Sequence, residues 1–117
     1  MSYTSKGLLF EKERVLKLLK DNNKRQMLVK SHINEQSSVW TEDDSVLYTL
    51  CELYITLGAL KKILNEVIDN DQIEEYNGKE NYVVSSQEGT IMQSLLLPAI
   101  VDLKAQTEAY GLSLAIN

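Results

Sequence analysis

Seven apolar residues, Val46, Leu50, Leu53, Leu57, Leu60, Leu64 and Val67, follow one another in alternating steps of four and three. That period keeps one face of an α-helix apolar for three heptads, and the chain must cover that face with other helices. Leu47, Tyr54, Ile63 and Ile68 widen the stripe beyond a bare coiled-coil seam, so the helix is expected to touch more than one neighbour. The spacing predicts a helix from Glu42 to Ile68, about 40 Å long at 1.5 Å per residue. Thr41 and Asp44 stand at capping-box spacing before it, and Val39 or Trp40 is placed to staple its entry. Such a seam closes either within the chain or against another copy. Leu50, Leu53, Leu57, Leu60 and Leu64 are the residues expected to hold copies together.

The flanking segments are shorter. Apolar residues between Leu8 and Val29 recur at helical spacing with Lys and Arg between them. Asp21-Asn22-Asn23 interrupts this run, which predicts two helices, 5–20 and 24–32, joined by a polar turn. After the long helix, Asn77-Gly78 lies between Ile73–Tyr76 and Lys79–Val84. Asn-Gly suits a two-residue hairpin turn, because both central residues need positive φ. Ser85 and Glu88 repeat the capping-box spacing and open a last helix that contains Pro98. Proline removes a backbone hydrogen bond and crowds the preceding turn, so a kink or break is expected near Leu95–Leu97. Gly111 is the expected C-terminal cap. The tail Leu112, Leu114 and Ile116 is apolar and is expected to dock on the body or on a partner. The fold class expected is mainly α, with one long central helix and a small β-hairpin in a ring-forming oligomer.

Charge divides the 117 residues into two parts. Residues 1–36 carry eight Lys/Arg against four Asp/Glu, net +4; residues 37–117 carry four against thirteen, net −9. A basic helical segment, 1–36, on an acidic oligomerisation core, 37–117, suggests that the first part meets a polyanion. Lys12, Lys17, Lys20, Lys24, Arg25 and Lys30 are the candidate phosphate contacts. The longest apolar run, Leu95–Val101, has seven residues and includes Pro98; a membrane helix needs about 20. The N-terminus lacks the long apolar core of a secretory signal, and the single Cys51 makes no intrachain disulfide, so a cytoplasmic location is expected.

Catalytic patterns are missing from the sequence. The five glycines are scattered rather than gathered in a phosphate loop, and one His with one Cys makes no metal spacing. A Ser–His–acid triad would have to use His32, and no sequence pattern sets a nucleophile against its ring. No catalytic residue, metal or cofactor is therefore assigned, and a non-enzymatic protein is expected.

The order of elements resembles the small terminase subunits of tailed bacteriophages. The resemblance rests on Val39-Trp40-Thr41-Glu42-Asp43-Asp44, the helix Leu47-Tyr48-Thr49-Leu50-Cys51-Glu52-Leu53-Tyr54-Ile55-Thr56, the Asn77-Gly78 hairpin, and a last helix running from Leu103 through Tyr110-Gly111-Leu112-Ser113. It covers about two-thirds of the chain. It implies a protein that binds double-stranded viral DNA in the host cytoplasm as a homo-oligomeric ring of about eight or more copies. It also implies regulation of a large subunit that holds the ATPase and nuclease. Leu114-Ala115 follow Gly111-Leu112-Ser113 where many family members have a proline and a basic residue. The competing expectation is an oligomeric protein–protein adaptor, or a small phage regulator, that does not touch DNA.

Overall fold

The computed structural model describes residues 2–4, 7–38 and 44–116. Three long helical stretches and a four-stranded antiparallel sheet make up the fold. In chain order these are β1 (Ser2–Thr4), β2 (Gly7–Glu11), α1 (Lys12–Ser37), α2 (Ser45–Asn70), β3 (Ile73–Tyr76), β4 (Lys79–Val84), α3 (Ser86–Thr90), a π-helical turn (Ile91–Leu96) and α4 (Leu97–Ala109). Sheet order is β1-β2-β4-β3. The molecule is elongated, 52 × 25 × 22 Å.

The central helix, α2, follows the heptad stripe. Leu50, Leu53, Leu57, Leu60 and Leu64 are each 1 % exposed or less. α1 packs along one flank of α2 and α4 along another, which accounts for a stripe wider than a single seam. The five leucines assigned to contacts between copies are therefore enclosed within one chain, and that assignment is corrected: their partners are α1, α4 and the sheet. Any interface between copies must use other side chains. The Thr41 cap and the Val39/Trp40 staple lie outside the described residues.

Two expectations for the N-terminal segment also change. Gly7–Glu11 is a strand rather than the start of a helix, and it pairs with β4 in the register Leu8↔Val84, Leu9↔Val83, Phe10↔Tyr82 and Glu11↔Asn81. The hairpin is thus half of a larger sheet. Gly7 has φ +146, and a Cβ there would collide with the Val84 carbonyl, so the strand's entry admits glycine alone. Asp21-Asn22-Asn23 does not break the helix; α1 runs unbroken for 26 residues. Asn22 is 2 % exposed and donates its Nδ2 to the Leu57 carbonyl of α2 at 2.8 Å. A polar side chain satisfied at a helix crossing outweighs the modest helix propensity of Asn, worth less than about 0.7 kcal/mol per residue.

The remaining local signals hold. Asn77 and Gly78 both have positive φ, +53 and +73, as a primed two-residue turn requires. Ser85 Oγ accepts from the Glu88 N–H at 3.2 Å and donates to Glu88 Oε1 at 3.0 Å. Gly111, at φ +87, donates its N–H to the Glu108 carbonyl and closes α4. Pro98 does not break the helical path. The turn before it widens, and the Leu97 N–H bonds to Met92, five residues back. That extra residue relieves the crowding of the proline ring against the preceding carbonyls. The C-terminal tail docks on the same chain: Leu114 is 2 % exposed, Leu112 packs on the core, and the Ser113 carbonyl lies 2.8 Å from His32 Nε2 of α1.

Candidate nucleic-acid interface

At 3.6 residues per turn, the six candidate cations of α1 divide into three groups around the helix. The buried edge is marked by Val15, Asn22 and Val29. Lys17, Lys20 and Lys24 lie on the opposite, outer face and are exposed. They fall within about 60° of one another and span about 10 Å along the axis. Leu16, 43 % exposed, and Met27, 76 % exposed, sit beside them. Two carboxylates accompany the cations: exposed Glu13, one turn before Lys17 on the same face, and half-buried Asp21 at its edge.

The other three cations sit differently. Lys12 lines a recess at the hairpin end of the molecule together with Glu11, Glu13, Lys79 and Glu80. Its charge is offset there by three carboxylates. Arg14 and Lys79 both pair with Glu11, at 3.2 and 3.5 Å. Arg25 turns toward the flank shared with His32, one heptad on; it is half-buried, and its Nε is enclosed without a hydrogen-bond partner. Lys30 Nζ lies 5.6 Å from the centre of the Tyr54 ring of α2, a cation–π contact. The structure thus gathers Lys17, Lys20 and Lys24 into one patch and separates Lys12, Arg25 and Lys30 from it.

No family model matches the chain, and no curated protein or solved structure matches it either. Physical features of the surface carry the functional reading. Among the described residues, no group of three or more His, Cys, Asp or Glu is placed to hold a metal ion, and no helix is long and apolar enough to cross a membrane.

Sequence reasoning missed two surfaces. One is a groove between α1 and α2 lined by Asn23, Gln26, Met27, Lys30, Tyr54 and Lys61. Lys61 belongs to the acidic part of the chain, and only the antiparallel packing of the two helices brings it beside α1. The other surface is apolar. Tyr48 and Ile55, one heptad apart, are about 70 % exposed on the open face of α2, and Leu95 and Val101 are exposed around the π-helical turn and α4. The seam leucines drew attention away from these residues, the large apolar side chains of their helices that stand exposed.

Proposed function

We propose that the chain is a small terminase-type DNA-packaging subunit. In this reading it binds double-stranded DNA through the outer face of α1, assembles with copies of itself, and regulates a large ATPase/nuclease subunit. The observation that carries the reading is the patch of Lys17, Lys20 and Lys24, exposed along the helix face turned away from the core. Phosphate contacts of this kind supply salt-sensitive affinity with little sequence information. Repetition around an oligomer multiplies weak contacts into avidity. The succession of long helix, Asn77-Gly78 hairpin and Gly111-capped last helix is compatible with the family resemblance. In this reading the open apolar residues Tyr48, Ile55, Leu95 and Val101 supply contacts between copies, since the seam leucines do not reach the surface.

The test is a titration of labelled duplex DNA at several salt concentrations, with native mass measured in parallel. Lys17→Gln, Lys20→Gln and Lys24→Gln together should reduce the slope of log affinity against log salt by nearly 3 per copy engaged, at about 0.9 per phosphate contact. Native mass should stay above that of a monomer. An unchanged slope, or a parent chain that remains monomeric at high concentration, overturns the reading. The adaptor alternative has one observation in its favour. The hairpin is acidic, and Glu75 stands directly opposite Glu80 across the β3–β4 pair, an arrangement that like-charge repulsion disfavours and that a basic protein partner would relieve. An oligomer that does not retain DNA at low salt would favour it.

A further inference from the structure

Opposite its leucine stripe, α2 carries a second heptad seam. Tyr48, Glu52, Ile55, Ala59, Lys62 and Glu66 follow one another in alternating steps of four and three, and all six are exposed. They lie about 140–220° round the helix from Leu57. The neighbours of α2, which are α1 and α4, cover the leucine side and leave this strip open. From Tyr48 to Glu66 it runs about 27 Å. A heptad strip on an uncovered helix face is the geometry through which two helices pack knob into hole.

The order of charges along the strip selects its occupant. A two-fold axis perpendicular to α2 pairs each residue before the axis with the one equally far beyond it, in both copies alike. With the axis level with Leu57, Ile55 meets Ala59 of a second copy, Glu52 meets Lys62, and Tyr48 meets Glu66, whose carboxylate accepts from the phenol hydroxyl. Apolar faces apolar at the centre, and opposite charges face each other on either side. Moving the axis half a heptad either way sets Ile55 against Glu52 or Glu66 and takes the carboxylate away from Lys62. A parallel pair in register sets Glu52, Lys62 and Glu66 each against its own like charge. One direction and one register therefore satisfy the strip.

We infer that the open strip of α2 docks on the same strip of a second copy, antiparallel, with a Glu52–Lys62 ion pair on each side of an apolar centre at Ile55 and Ala59. The inference rests on the self-assembly part of the reading above and supplies its interface; it does not depend on DNA binding. Ile55 and the Tyr48 ring bury apolar area, while the ion pairs set direction and register. Both copies use the same face, so the contact closes at two, and any larger assembly is built from such pairs.

Sedimentation equilibrium of the full chain tests this. Both charged positions are exposed, so substitutions there do not touch the core. Glu52→Lys and Lys62→Glu should each raise the dissociation constant of the pair about tenfold or more, because both symmetric ion pairs turn from attraction to repulsion. An equimolar mixture of the two variants should regain the parent's affinity, since each reversed charge then faces its opposite. Overall charge predicts a different pattern. On a chain of net charge −5, Glu52→Lys would tighten association and Lys62→Glu would weaken it. Lys61→Glu makes the same charge change about 100° round the helix and should alter the constant far less than Lys62→Glu. Single variants that leave the constant unchanged or move it in opposite directions overturn the inference. So does a mixture no tighter than its components, or an assembly with an odd number of copies. In each of those cases self-assembly stands and uses other residues. A parent chain that stays monomeric at high concentration removes both.

Discussion

Asn22 offers the sharpest test of the fold. The side chain is 2 % exposed, and its Nδ2 donates to the Leu57 carbonyl at 2.8 Å, joining α1 to α2 across 35 residues of sequence. Asn22→Ala removes that bond, worth about 0.5–1.5 kcal/mol net, and leaves a small void beside Leu57. The combined cost should be about 1–3 kcal/mol. Asn22→Asp keeps the shape but replaces the donor with a carboxylate aimed at a carbonyl oxygen in a dry site. That should cost about 3 kcal/mol or more at neutral pH. Asn22→Leu removes the polar group and fills the space with carbon, so it should cost less than the aspartate variant. The assay is urea unfolding followed by circular dichroism at one fixed protein concentration, because self-association, as proposed above, would make stability depend on concentration. The order from most to least destabilised should begin with Asp, followed by Ala. If Asn22 lay in a solvated turn between two helices, all three substitutions would fall within about 0.5 kcal/mol of the parent. That result would refute the continuous α1 and its crossing with α2.

Two further predictions address the ends of the chain. Gly7→Ala should destabilise the protein by several kcal/mol in the same assay, because the new methyl group meets the Val84 backbone at a positive φ; a change below about 0.5 kcal/mol would mean that β2 does not pair with β4 in this register. Leu114→Ala should cost about 2–5 kcal/mol, as for a buried leucine elsewhere in a core, and a cost near zero would mean that the tail does not dock on its own chain.

Local signals with a strict stereochemical cause were legible in the sequence. The Asn77-Gly78 turn, the Ser85–Glu88 cap, the Gly111 stop and the long leucine-striped helix each depend on residues close together in the chain. Features set by distant partners were not legible. Gly7–Glu11 is a short apolar run whose period does not distinguish strand from helix, and the strand that decides the matter lies more than 70 residues away. Asn22 looked like a turn residue because Asn usually is one; its helical state depends on the Leu57 carbonyl of another helix. The same limit applies to the candidate interface. The basic character of α1 was visible, but the division of its cations among an outer patch, a salt-bridged end and a groove depends on packing. The seam leucines were recognised as a packing surface, and the sequence contained nothing to say that α1 and α4 would both cover it.

The pairing of Leu8 with Val84 also bears on how the protein is made. A ribosome releases Gly7–Glu11 well before Lys79–Val84, so β2 has no hydrogen-bonding partner on its inner edge until β4 has emerged. Closing a loop of that length costs about 4 kcal/mol of chain entropy, a cost that the packing of α1 on α2, which lie between the two strands in sequence, offsets by shortening the loop. During synthesis β2 therefore waits for the strand that completes its pairing.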